Sequence, residues 1–97
     1  MSVVVSSENV SLRSLIINGR IEAVQVDPSS KKMIAKINVG TNDRVAKNMQ
    51  FSVYRGNSFL GNLVVTEPDL KWSIGEVNTL GRSVEVKEGD LITSRLQ

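Results

Sequence analysis

From Asn18 onward, apolar and polar residues alternate in short runs separated by turn-forming residues, the period-2 pattern of strands that bury one face. Ile21 to Val26 reads as a first strand, ended by Asp27-Pro28-Ser29-Ser30. Met33, Ala35, Ile37 and Val39 then alternate with Ile34, Lys36 and Asn38, so a second strand follows and pairs with the first as a hairpin. Gly40-Thr41-Asn42-Asp43 breaks the pattern, and Met49, Phe51 and Val53 alternate with Gln50, Ser52 and Tyr54 in a third strand. Arg55-Gly56-Asn57-Ser58 is the next turn, Phe59 to Thr66 the fourth strand, Lys71 to Val77 the fifth, and Leu91 to Leu96 the sixth. Residues 1–17 read differently: Ser6, Ser7, Ser11 and Ser14 are interspersed with apolar residues. Leu12, Leu15 and Ile16 stand at helical spacing, while Val3-Val4-Val5 suits an edge strand or a tail, and the sequence leaves these readings open. The expected organisation is an N-terminal extension over 1–17 and one β-domain over 18–97.

The six strands fall into two similar sets. Gly19-Arg20-Ile21 lies on Gly61-Asn62-Leu63, Ala35-Lys36-Ile37-Asn38 on Gly75-Glu76-Val77-Asn78, and Val45-Ala46-Lys47-Asn48 on Val86-Lys87-Glu88-Gly89, displaced by 42, 40 and 41 positions. Pro28 and Pro68 mark the turn after the first strand of each set. Two copies are too few for a solenoid, which buries its faces only by stacking several repeats. They suit a small six-stranded all-β barrel of two three-stranded halves, each a hairpin plus a third strand, with the edges protected by closure. Gly61 and Gly75, set inside strands, are then expected at bulges or sharp bends.

Composition narrows the chemistry. A chain of 97 residues with 40% hydrophobic and 23% charged residues supports one packed core, filled mainly by Val, Ile and Leu because aromatics reach only 4%. Histidine and cysteine are both absent, which removes the commonest general base, the commonest transition-metal ligand, thiol nucleophiles and disulfides. Asp27, Asp43, Asp69 and Asp90 each fall at a turn, where aspartate serves the backbone. The Asp-Thr/Ser-Gly signature of aspartic proteases, themselves barrels of paired halves, does not occur. Ser29, Ser30, Lys31 and Lys32 adjoin on a turn without an oxyanion motif. The glycines are scattered singly instead of forming a phosphate loop, and no oxygen ligands are spaced for calcium. No enzymatic activity, cofactor, metal or small-molecule substrate is expected. No apolar run approaches the roughly 18 residues of a spanning helix, and Met1 to Val5 lacks the features of a signal peptide, so membrane insertion by this segment is not expected.

Binding remains. The net charge of +2 is small, yet Tyr54, Phe59 and Trp72 together with Arg55 and Lys71 are the candidate binding surface, with Lys31, Lys32, Arg44 and Lys47 as further cations. Aromatics beside cations on a small barrel are how single-stranded nucleic acids are held, provided they share one exposed face. The competing reading buries Phe59 and Trp72 partly under loops and leaves the lysines to solvate strands.

The succession Asn18-Gly19-Arg20-Ile21, Ile37-Asn38-Val39-Gly40, Phe51-Ser52-Val53-Tyr54-Arg55, Leu60-Gly61-Asn62-Leu63-Val64-Val65 and Glu88-Gly89-Asp90-Leu91-Ile92 resembles a bacterial family. It is similar to the small β-barrel at the C-terminus of flagellar assembly protein T and of coiled-coil envelope proteins, over about Asn18 to Arg95. Asn48 departs from the pattern, which favours glycine there, although asparagine also tolerates positive φ. The resemblance implies a non-catalytic interaction or assembly module with a protein partner or self-association, and a cell-envelope setting. It carries no family active site. Strand edges and the rims around Gly56 and Gly81 are the expected contact surfaces, and single-stranded nucleic-acid binding is the second reading.

Overall fold

The computed structural model describes residues 16–81 and 84–94. The readings made above for residues 1–15 and for the end of the sixth strand, Arg95 and Leu96, lie outside the described residues. Six strands, β1 (Asn18–Val26), β2 (Met33–Ile37), β3 (Gln50–Arg55), β4 (Ser58–Pro68), β5 (Ser73–Thr79) and β6 (Leu91–Ser94), form a closed barrel in the order β1-β2-β5-β4-β3-β6. All neighbours are antiparallel. The expected all-β, six-stranded barrel is what the chain forms.

Exchanging β1, β2 and β3 for β4, β5 and β6 maps this order onto itself. Registers agree as well: Ile21 faces Ile37 in the first hairpin, and Leu63 faces Val77 in the second, at the same displacements of 42 and 40 read from the sequence. The two long connections repeat each other closely. Val45 and Val86 are buried, and the Met49 and Asp90 amides donate to the carbonyls of Ala46 and Lys87. Asn48 (φ 72°) and Gly89 (φ 94°) both take left-handed backbone, so asparagine fills the role of glycine. Each connection is then fastened to a first strand by two backbone bonds. Asn48 N donates to Val65 O and Val65 N to Met49 O at one end; Gly89 N donates to Ile21 O and Ile21 N to Asp90 O at the other.

The core fills the barrel. Ile21, Ile37, Phe51, Val53, Leu63, Val65 and Ile92 are almost wholly buried, as the alternation predicts. Val39 and Val45 close one mouth, Leu60 and Val86 the other. Two buried serines are satisfied: Ser73 Oγ donates to Val39 O (2.8 Å), and Ile17 N donates to Ser94 Oγ (2.8 Å).

Strand limits differ from the sequence pattern where polar backbone bonds intervene. β2 stops at Ile37 because Asn38 leaves the ladder, its N donating to Arg20 O and its side-chain oxygen accepting from Arg20 N, so that buried Val39 belongs to the connection. β5 starts at Ser73 because Leu70, Lys71 and Trp72 form a turn closed by Asp69 N donating to Trp72 O. β4 runs on through Pro68, and β1 begins earlier, at Asn18. Three bulges bend the wall: Glu22 in β1, Leu60 in β4 against β3, and Thr66 in β4 against β5. Gly61 and Gly75 flank the last two, as expected. At Gly61 a side chain would run into the Asn78 carbonyl.

Gly61→Ala is expected to lower unfolding free energy by about 3 kcal/mol, since the obstacle is backbone. Asn48→Gly should leave stability within about 0.5 kcal/mol of the parent or raise it, because glycine meets positive φ without steric cost. Urea unfolding followed by circular dichroism measures both.

Candidate interaction surface

The register aligns one outward-facing row across four neighbouring strands. Arg20 of β1 faces Leu91 of β6, Leu91 faces Tyr54 of β3, and Tyr54 faces Phe59 of β4. These side chains point out because Ile21, Ile92, Val53 and Leu60, their sequence neighbours, point in. Leu91 is 54% and Phe59 38% exposed, and the rings of Tyr54 and Phe59 meet edge to face at 5.6 Å. That geometry suits the ring quadrupoles. Beside this row runs a second, made of small uncharged polar residues: Asn18, Thr93, Ser52, Asn62 and Asn78. Between the two rows lies an open groove of about 400 Å³ lined by Asn18, Gly19, Tyr54, Gly56, Leu91, Ile92 and Thr93.

Arg55, next to Tyr54 at the end of β3, anchors the neighbourhood of the row. Its Nε donates to Asp90 Oδ1 (2.8 Å) and its Nη2 to Asp90 Oδ2 (3.0 Å) and to the Glu85 carbonyl (2.9 Å). Lys87 N also donates to Asp90 Oδ2 (2.7 Å). Burial alone would raise the Asp90 carboxyl, but the Arg55 guanidinium and the Lys87 amide outweigh it and hold it below the ordinary carboxylate range. The pair fixes the connection before β6 to the β3–β4 turn, and so sets the position of Leu91 beside Tyr54.

The five residues expected to share a surface do not do so. Tyr54, Arg55 and Phe59 come together at one end. Lys71 and Trp72 lie in the turn at the far end of β4, where Lys36 Nζ sits 5.1 Å from the Trp72 ring centroid. From Phe59 to Pro68 the strand spans about 30 Å at roughly 3.3 Å per residue. The other cations are divided too, with Lys31 and Lys32 in the β1–β2 turn and Arg44 and Lys47 in the connection at the Trp72 end. Lys32 contacts Glu76 at 3.6 Å.

Sequence reasoning missed Arg20 and Leu91. The alternation in Leu91 to Ser94 does place Leu91 opposite in facing to Ile92, but its neighbours follow only from register. All four turn aspartates accept backbone amides, Asp27 from Ser29, Asp43 from Gly40, Asp69 from Leu70 and Asp90 from Lys87. Among the described residues no group of three acidic side chains is placed to hold a metal, and no helix is long and apolar enough to cross a membrane. Compared with known proteins, the chain matches no family model, no curated protein and no solved structure.

Asp90→Ala removes three charge-assisted bonds and should cost about 2–3 kcal/mol, with Asp90→Asn costing less. Because the folded carboxyl titrates below its unfolded value, its contribution is complete above about pH 4 and is lost as pH falls through the lower folded value. Acid unfolding of Asp90→Asn should therefore be less steep than that of the parent.

Proposed function

We propose that the barrel is a non-catalytic protein-interaction or assembly module of a bacterial protein. The observation that carries this reading is the outward row Arg20, Leu91, Tyr54 and Phe59. Aromatic residues and arginine are the side chains that most often dominate protein interfaces, and a polar border excludes water around them. The row supplies the first and the Asn18, Thr93, Ser52 and Asn62 row supplies the second. A filled interior leaves recognition to the outer surface. The groove suits an extended polypeptide segment that lays one apolar side chain between Tyr54 and Leu91.

Single-stranded nucleic-acid binding is the second reading, and the geometry supports it less. Stacking successive bases calls for Tyr54, Phe59 and Trp72 along one basic track. Here the first two are separated from Trp72 by the length of β4.

A photo-crosslinking residue in place of Leu91 is expected to yield a protein adduct in cells, whereas the same residue in place of Lys71 yields none. The captured protein, purified, should bind the parent and Trp72→Ala equally and bind Leu91→Asp at least about tenfold more weakly, the loss of one central apolar contact. Equal binding by Leu91→Asp would refute the surface. Saturable, salt-sensitive binding of single-stranded DNA or RNA, followed by Trp72 fluorescence, would replace the proposal with the second reading.

A further inference from the structure

Closure removes most strand edges, but not all. β1 pairs with β6 only over Asn18 to Arg20, and Ile21 takes the last bonds on that side, to Gly89 and Asp90. Beyond the Glu22 bulge, Ala23, Val24, Gln25 and Val26 pair with β2 alone among the described residues. Such an edge carries backbone donors and acceptors ready for another strand. The other half of the barrel shows what a protected edge looks like here. Past its last bond on the β3 side, at Val65, β4 continues as Thr66-Glu67-Pro68, with a carboxylate and a proline. Both oppose strand addition. Ala23-Val24-Gln25-Val26 has no charge and no proline, and Val26 is 54% exposed although it lies on the face whose other members, Val24 and Met33, pack on the core.

We propose that this edge pairs with the same edge of a second copy, antiparallel and about a two-fold axis at Gln25. Register follows from space and charge. β6 and Asp90 already fill the row beside Arg20 and Ile21, so the incoming strand cannot extend past Glu22. Centring on Gln25 respects that limit and sets Val24 against Val26 of the other copy, twice, which covers both exposed Val26 side chains. It sets the two Gln25 amides against each other and Ala23 against Asp27. The Asp27–Lys32 turn of each copy then lies by Glu22 of the other, and its two cations, Lys31 and Lys32, outnumber the Asp27 carboxylate, which already accepts from the Ser29 amide. Self-pairing is the partner favoured by this sequence because both sides of the match are the same strand. Four residues bury far less than the roughly 1,600 Å² of a standard interface, so the dimer is weak and depends on concentration. The proposal extends the interaction-module reading to a second surface on the opposite side of β1 from the β2 ladder, without using the Tyr54 groove.

Sedimentation velocity of the full chain from about 10 μM to about 1 mM, a range that brackets weak association, should show a monomer–dimer equilibrium. Gln25→Lys and Gln25→Glu each set like charges on the axis and should weaken it about fivefold or more, while an equimolar mixture of the two associates at least as tightly as the parent. Hydrogen exchange at residues 23–26 should slow as concentration rises. A monomer throughout, a mixture no tighter than either variant, or protection independent of concentration, which means the edge is covered within one chain, each overturns the proposal. Leu91→Asp should leave dimerisation unchanged, so a failure here is separable from a failure at the groove.

Discussion

The third strand of each half has no partner in its own half. β3 pairs with β4 and β6, β6 with β3 and β1, and neither pairs with the hairpin that precedes it in the chain. The backbone pairs Asn48/Val65/Met49 and Gly89/Ile21/Asp90 fasten each long connection to the first strand of the opposite half. Separated, each half would expose a hairpin with one apolar face and a lone strand, and an isolated hairpin is marginal in water. Everything else in the structure depends on this exchange: the filled interior, the plugged mouths and the outward rows that cross from one half into the other. It also makes most of the stabilising contacts distant in sequence, which slows folding relative to local topologies.

Exchange also decides where recognition can occur. Each connection drops a valine, Val45 or Val86, into a barrel mouth, and the interior is filled by side chains. The wall itself becomes the available surface, and cross-strand register determines which outward residues are neighbours. Arg20, Leu91, Tyr54 and Phe59 come from four strands and form one row only because the barrel closes in this order. The Arg55–Asp90 pair belongs to the same logic, since it ties the β3–β4 turn to the connection that delivers β6.

Strand existence and the two-part organisation were legible because they rest on short-range signals: alternation, turn residues and three short segments recurring at nearly constant spacing. Even the left-handed residue at Asn48 was readable from its match to Gly89. The limits of β2 and β5 were not, because Asn38 and the Asp69–Trp72 turn are held by bonds to other strands or by turn closure that alternation does not encode. The candidate surface was half legible. Tyr54, Arg55 and Phe59 are near in sequence and stay together, whereas grouping them with Lys71 and Trp72 neglected that β4, at 11 residues, carries its two ends to opposite mouths. Leu91 and Arg20 join the row through register alone.

Two similar halves offer an internal comparison that separates what the fold requires from what it does not. Buried Val45 and Val86, the positive-φ Asn48 and Gly89, and the doubled backbone bonds recur in both, and closure accounts for them. Asp90 has no such counterpart: the matching position is Met49, which packs against the core without an arginine. The edge after the bulge is equally one-sided, neutral in β1 and guarded by Glu67 and Pro68 in β4. The symmetric demands of closure do not account for these differences, although the Arg55–Asp90 pair adds its own fastening between the β3–β4 turn and the connection before β6. Both differences flank the same strand, β1, with the outward row beginning at its Arg20 and the open edge three residues beyond.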